Sequence, residues 1–233
     1  VVLHPYIADL PNDTTAEGVT SSGLPITVTF RPARPARSPL LSHFCVHCPG
    51  LEFRRTALKI VAPDADLVLL CLPTQPGGTV SILDWDYFVY NPRAQRLDLL
   101  PNLHPNCLDD SATALVSEGG GRYVVAALSE WIITNPEDEW ITKRLSLHEF
   151  ERDRVIPLPD ALGDRLYRET GKTITVGGEH GTVAWVDLWR GIFLCDVLEE
   201  CPVLKDIPLP VPARANWNRL LNRCDPTYFR DVT

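Results

Sequence analysis

Four residues within a span of six, His43, Cys45, His47 and Cys48, belong to the types that hold transition metals. Imidazole and thiolate suit zinc, and a Cys-x-x-Cys pair supplies half of a tetrahedral site. A second pair must close that site, and the chain has none; five residues separate Cys195 from Cys201, which are expected in different strands. On an extended strand His43, Cys45 and His47 fall on one face while Cys48 points elsewhere. The segment therefore reads as the end of a partly buried strand carrying thiols. A thioredoxin-like role requires a helix after the motif to lower a thiol pKa, and no helical pattern follows.

Other chemistry finds no firmer frame. Serine, histidine and carboxylates are plentiful, but no serine sits in a Gly-x-Ser-x-Gly elbow. Gly177-Gly178-Glu179-His180-Gly181 has the glycine density of a phosphate loop without its Lys-Ser/Thr ending or a following helix, so it reads as a hairpin turn. Asp187 and Asp196 are flanked by apolar residues and read as structural pins, pointing outward or accepting hydrogen bonds from turn amides. Pro32-Ala33-Arg34-Pro35-Ala36-Arg37 fits the Pro-x-x-Pro-x-Arg ligand pattern. It also lies where a basic loop must join a strand ending at Phe30 to one starting near Leu41, and the loop is preferred. No catalytic, cofactor-binding or metal-binding residue is assigned, and no cofactor is expected.

The composition narrows the partners. Of 233 residues, 45% are hydrophobic and 22% charged, ordinary values for a chain that builds a core without disulfides. The net charge of −8 disfavours a nucleic-acid partner. The basic residues Arg31, Arg34, Arg37, Arg54, Arg55 and Lys59 cluster against Glu52 alone, and read as a solvated loop before a contact patch. Seven cysteines, an odd number, suit reduced thiols and an intracellular location, cytoplasm or nucleus. No stretch approaches the roughly 18–20 apolar residues of a membrane-spanning helix. The lack of methionine, even at position 1, reads as a segment of a longer polypeptide whose start would carry any targeting signal.

Short strands must position these groups. Twenty-one prolines break helix interiors and favour turns. Ile26, Val28 and Phe30 alternate with Thr27 and Thr29, the pattern of a half-buried strand. The segments 79–90, 123–128, 145–150, 173–176 and 184–197 are rich in β-branched and aromatic residues. Turn signals separate them: Pro76-Gly77-Gly78, Asn91-Pro92, Gly119-Gly120-Gly121 and Gly177-Gly178. Gly191 is expected to supply a positive φ between two strands of 184–197. Only 160–168 and 214–221 have a helical pattern. Trp131, Trp140 and Trp217 are either core residues or an exposed recognition face.

A degenerate repeat gives the architecture. Leu97-Asp98-Leu99-Leu100-Pro101 is echoed by Val155-Ile156-Pro157-Leu158-Pro159 and Asp206-Ile207-Pro208-Leu209-Pro210. Proline closing a strand is tolerated at a sheet edge, where one side lacks obligatory partners. Four-stranded units each ending on such a strand are what a β-propeller repeats. The expected fold is all-β: a partial β-propeller-like array of antiparallel sheets with one or two short helices. An N-terminal β region over 1–62 precedes a propeller-like region over 63–233, cut short at its C-terminal end.

Three phrases carry a resemblance. Tyr87-Phe88-Val89-Tyr90-Asn91-Pro92-Arg93, followed by the Leu-Pro strand end at Leu100-Pro101, resembles a blade of the kelch-like F-box-associated domains. The stretch 185–197, with Pro202-Val203-Leu204 and Asp206-Ile207-Pro208, resembles the signature of the plant, mainly grass, family called domain of unknown function 1618. Phe44-Cys45-Val46-His47-Cys48-Pro49-Gly50 is similar to the segment upstream of that signature. The resemblance implies no known activity and carries no catalytic residue. The expectation is a non-enzymatic protein-interaction module with an unknown protein partner and no membrane contact. The alternatives are a hydrolase-like enzyme with its site in a propeller channel, and a metal or nucleic-acid binder acting through residues 31–59.

Overall fold

The structure, a computed structural model, describes residues 2–4, 11–33, 42–51, 59–73, 85–101, 108–134, 139–149, 153–157, 170–188 and 191–210. The chain divides into two compact units, Val1–Cys107 and Leu108–Thr233. Among the described residues each holds two four-stranded sheets, and the regular structure is almost entirely β.

In the first unit, β1 (Val2–His4), β2 (Ala16–Val19), β3 (Pro25–Arg31) and β4 (His43–His47) form one sheet in the order β1-β4-β3-β2. β1 runs parallel to β4, with Val2 beside His43 and His4 beside Cys45. The second sheet is a meander of β5 (Lys59–Asp64), β6 (Leu67–Pro73), β7 (Trp85–Asn91) and β8 (Arg96–Leu99). Its central strands are apolar almost throughout and are buried along nearly their whole length. Asn91 ends β7, and its side-chain oxygen accepts from the Ala94 amide at 3.0 Å, so the Asn-Pro signal becomes a turn closed by the asparagine side chain.

The two sheets of this unit share one core. Ile26, Val28, Phe44 and Val46 from the first pack with Leu70, Leu72, Phe88 and Tyr90 from the second. Phe44 meets the Tyr90 ring edge-on at 5.8 Å, a favoured aromatic geometry. The Tyr90 hydroxyl accepts from the Phe30 amide at 3.1 Å and donates to the Thr14 carbonyl, so the buried phenol is satisfied. Burial raises its pKa.

In the second unit, a 3-10 turn at Asp110–Ala112 leads into β9 (Thr113–Gly119), β10 (Arg122–Thr134), β11 (Glu139–Glu149) and β12 (Asp153–Pro157). β13 (Lys172–Gly177), β14 (Thr182–Asp187), β15 (Gly191–Asp196) and β16 (Lys205–Pro208) make the fourth sheet. Both sheets are antiparallel meanders. Val116, Val124, Ala126 and Leu147 face Val183, Trp185, Phe193 and Cys195 across the core.

The proline-tipped repeats end where edges were expected. Among the described residues, β8, β12 and β16 are each the last strand of their sheet and pair on one side only. Identical blades laid side by side would bring like edges together. The second unit does this, with the first strands β9 and β13 in contact; in the first unit β2 lies against β8 instead. The helical patterns at 160–168 and 214–221, and the residues 79–84, lie outside the described residues.

Gly191 corrects one expectation. It has no positive φ. A Cβ there would lie 2.5 Å from the Ile207 carbonyl oxygen, so the position needs glycine because β16 passes too close.

Candidate functional site

The first candidate cluster lies on the first sheet. Phe44 and Val46 of β4 point into the core, which leaves His43, Cys45 and His47 at the alternate positions. Their register neighbours on β3 are Arg31, Thr29 and Thr27. Same-face neighbours along a strand are about 7 Å apart, which spaces these side chains as a row rather than a cage. Among the described residues no group of three His, Cys, Asp or Glu side chains is placed to hold a metal ion.

Cys48 leaves this row and enters the core. Burial pushes its thiol pKa up, and the nearby Asp86 carboxylate adds to the rise. Asp86 is itself buried and accepts from the Ser21 amide at 2.8 Å. A thiol in this setting stays protonated and is a poor nucleophile. Cys45, Cys48, Cys71, Cys195 and Cys201 form no disulfide, and of these only Cys201 is exposed.

The glycine-rich pentad is the β13–β14 hairpin turn. Gly177, Gly178 and Gly181 all have positive φ, which glycine adopts without a Cβ penalty. A side chain on Gly181 would strike Leu198 Cγ at 2.5 Å. The Leu198 amide donates to the His180 carbonyl at 3.1 Å, and His180 Nδ1 lies 2.5 Å from Glu199 Oε1. The loop is thus fastened to the end of β15 rather than open as an anion cradle.

Asp196 is a pin. Its carboxylate accepts from Thr182 Oγ1 at 2.6 Å and from Lys205 Nζ at 3.2 Å, joining β14, β15 and β16. The Thr182 hydrogen bond and then the Lys205 one hold its pKa below the usual aspartate range. Asp187 is buried at the end of β14, opposite Gly191.

The basic stretch is divided. Lys59 Nζ stands 5.2 Å from the Trp85 ring centroid, a cation–π arrangement. Arg31 is half-buried on β3. Arg34, Arg37, Arg54 and Arg55 lie outside the described residues, as does Trp217. Trp131 and Trp140 occupy β10 and β11.

A feature that motif reading passed over is apolar. Val176, Val203 and Ile207 are 63%, 65% and 45% exposed, large values for such side chains. Register places Ile207 beside Ile192, and Ile192 beside Val186, on the face of the fourth sheet opposite Trp185. Ala184 and Leu194 share that face, on which Val186 and Ala184 are buried and exposure is confined to the margins. The signal lay in 203–207, where Val203, Lys205 and Ile207 alternate with Leu204 and Asp206 and only the first set is exposed.

The class of protein is therefore an all-β chain of four-stranded sheets, with Asp196 engaged in hydrogen bonds and apolar side chains exposed at the margins of the fourth sheet. Within it, residues 185–233 match the family model described as protein of unknown function (DUF1618), which bears out the resemblance read from 185–197. Neither the curated proteins nor the solved structures give a match to the chain.

Proposed function

We propose that this chain is a non-enzymatic protein-interaction module whose contact surface is the exposed apolar margin of the fourth sheet along β16. The observation that carries this reading is the exposure of Ile207 on the edge strand β16 and of Val203 just before it, with Val176 exposed on the opposite edge strand β13. Apolar surface of this kind gains from being covered, at about 25 cal/mol per Å² removed from water. Val203 and Ile207 also lie within the segment 185–233 that matches the family model. The roles of Asp196 and the glycine-rich hairpin support the same reading, since each is built into strand closure.

The partner is a protein with a complementary apolar surface. The location is intracellular, in keeping with cysteines that form no disulfide among the described residues. A plant origin is implied by the resemblance of 185–197, and kinship to kelch-like F-box-associated domains by that of 87–101. No helix among the described residues is long and apolar enough to cross a membrane.

The test uses Ile207→Glu and Val203→Asp, both at exposed positions that the fold tolerates. A protein that copurifies reproducibly with the wild-type chain should be lost, at least tenfold, from both variants while their circular dichroism is unchanged. Equal recovery with wild type and variants overturns the surface. Turnover of a small molecule by the purified chain overturns the non-enzymatic assignment.

A further inference from the structure

The hairpin of β10 and β11 outgrows its sheet. β9 pairs with β10 only from Arg122 to Ala127, and β12 pairs with β11 only from Arg144 to His148. Beyond those points the two strands continue as a ribbon, paired from Ser129 with Arg144 to Thr134 with Glu139. Among the described residues, the outer edge of β11 over 139–143 has no strand beside it.

Such an edge differs from the edges on which the other sheets close. The edges that close the second, third and fourth sheets end on or just before proline, which blunts strand addition. The segment 139–143 reads Glu-Trp-Ile-Thr-Lys: no proline, three strong strand formers and no net charge. Its backbone groups need hydrogen-bond partners, and a two-stranded ribbon is marginal by itself in water.

We infer that the 139–143 edge is a self-association surface, taken by the same segment of a second copy running antiparallel about Ile141. The charge order selects this occupant. With Ile141 opposite Ile141, Glu139 of each copy falls opposite Lys143 of the other, and the two-fold axis makes both pairs equivalent. A parallel, in-register pairing would instead set Glu139 beside Glu139 and Lys143 beside Lys143. Within one copy Lys143 is paired in register with Glu130. In the dimer each Lys143 position therefore lies between two carboxylate positions, and the strands run β10-β11-β11-β10 as one four-stranded sheet. This surface is separate from the fourth-sheet face and does not depend on it.

The experiment is sedimentation of the whole 233-residue chain. Wild type should pass from monomer to dimer across roughly 1–200 µM, the weak range of a small interface. Glu139→Lys sets lysine against Lys143, and Lys143→Glu sets glutamate against Glu139, so each variant alone should dimerise about tenfold more weakly. An equimolar mixture of the two should recover dimer. In the mixed pair the introduced lysine of one variant falls opposite the introduced glutamate of the other, and the native Lys143 of the first falls opposite the native Glu139 of the second. Recovery on mixing cannot come from a misfolded variant. The inference is overturned if wild type stays monomeric throughout, as it would with another segment on this edge. It is equally overturned if either variant dimerises like wild type, or if the mixture gains nothing.

Discussion

The indole N–H of Trp185 donates to the Ala112 carbonyl at 2.8 Å, a buried hydrogen bond from the fourth sheet to the turn that opens the third. Trp185 is wholly buried, and its ring is among the largest side chains in the core of the second unit. Thr173 and Thr175 of β13 extend the same seam, donating to the carbonyls of Ser111 and Leu115 at 2.6 and 3.1 Å.

Trp185→Phe should therefore cost more than its lost area. An aromatic ring is kept but the Ala112 carbonyl is left unsatisfied, a penalty of about 1–3 kcal/mol. Trp185→Ala adds a cavity and should cost about 3–5 kcal/mol. Urea unfolding followed by circular dichroism ranks the two. Equal stability of wild type and Trp185→Phe would deny the hydrogen bond any energetic role.

Gly191→Ala should destabilise by about 1–3 kcal/mol, since a Cβ 2.5 Å from the Ile207 carbonyl must push β16 away from β15. Gly171→Ala is the control. Its Cβ would meet the Val186 carbonyl at 3.6 Å, ordinary contact, so it should be neutral or slightly stabilising. Melting temperatures separate the pair, and loss of amide protection confined to β16 would locate the effect.

Asp196 predicts an acid-side loss of stability. Because its folded pKa is depressed, the folded chain gives up this proton more readily than the unfolded one. The contribution is complete above the unfolded value of about 3.9 and disappears as pH falls through the lower folded value. Asp196→Asn should be less stable than wild type at neutral pH, with the difference shrinking as the solution is acidified below about 4. A constant difference across that range would show that the carboxylate charge contributes nothing.

Much of this was legible in the residues. Proline at Pro101, Pro157 and Pro208 marked the closing edges of three sheets, because an edge strand tolerates a missing donor on its open side. Asn91 and the glycines at 177, 178 and 181 announced turns that the backbone makes for the reasons their side chains suggest. Gly191 was misjudged because a close carbonyl on a later strand leaves no trace in local sequence. The same holds for the contact of β2 with β8, which depends on how two sheets stack rather than on any periodicity. The exposed face at Val176, Val203 and Ile207 was hidden for a related reason. Alternation shows that a strand has two faces but not which of them water reaches.

The parallel pairing of β1 with β4 sets the first sheet apart in time as well as in pattern. Every other sheet joins strands that follow one another along the chain, so each pairing closes a short loop. Bringing Val2 to His43 spans roughly forty residues, with a larger entropic cost to meet before any contact is gained. Refolding should reach a three-stranded intermediate of β2, β3 and β4 first, with the opening strand docking as the slow closing step.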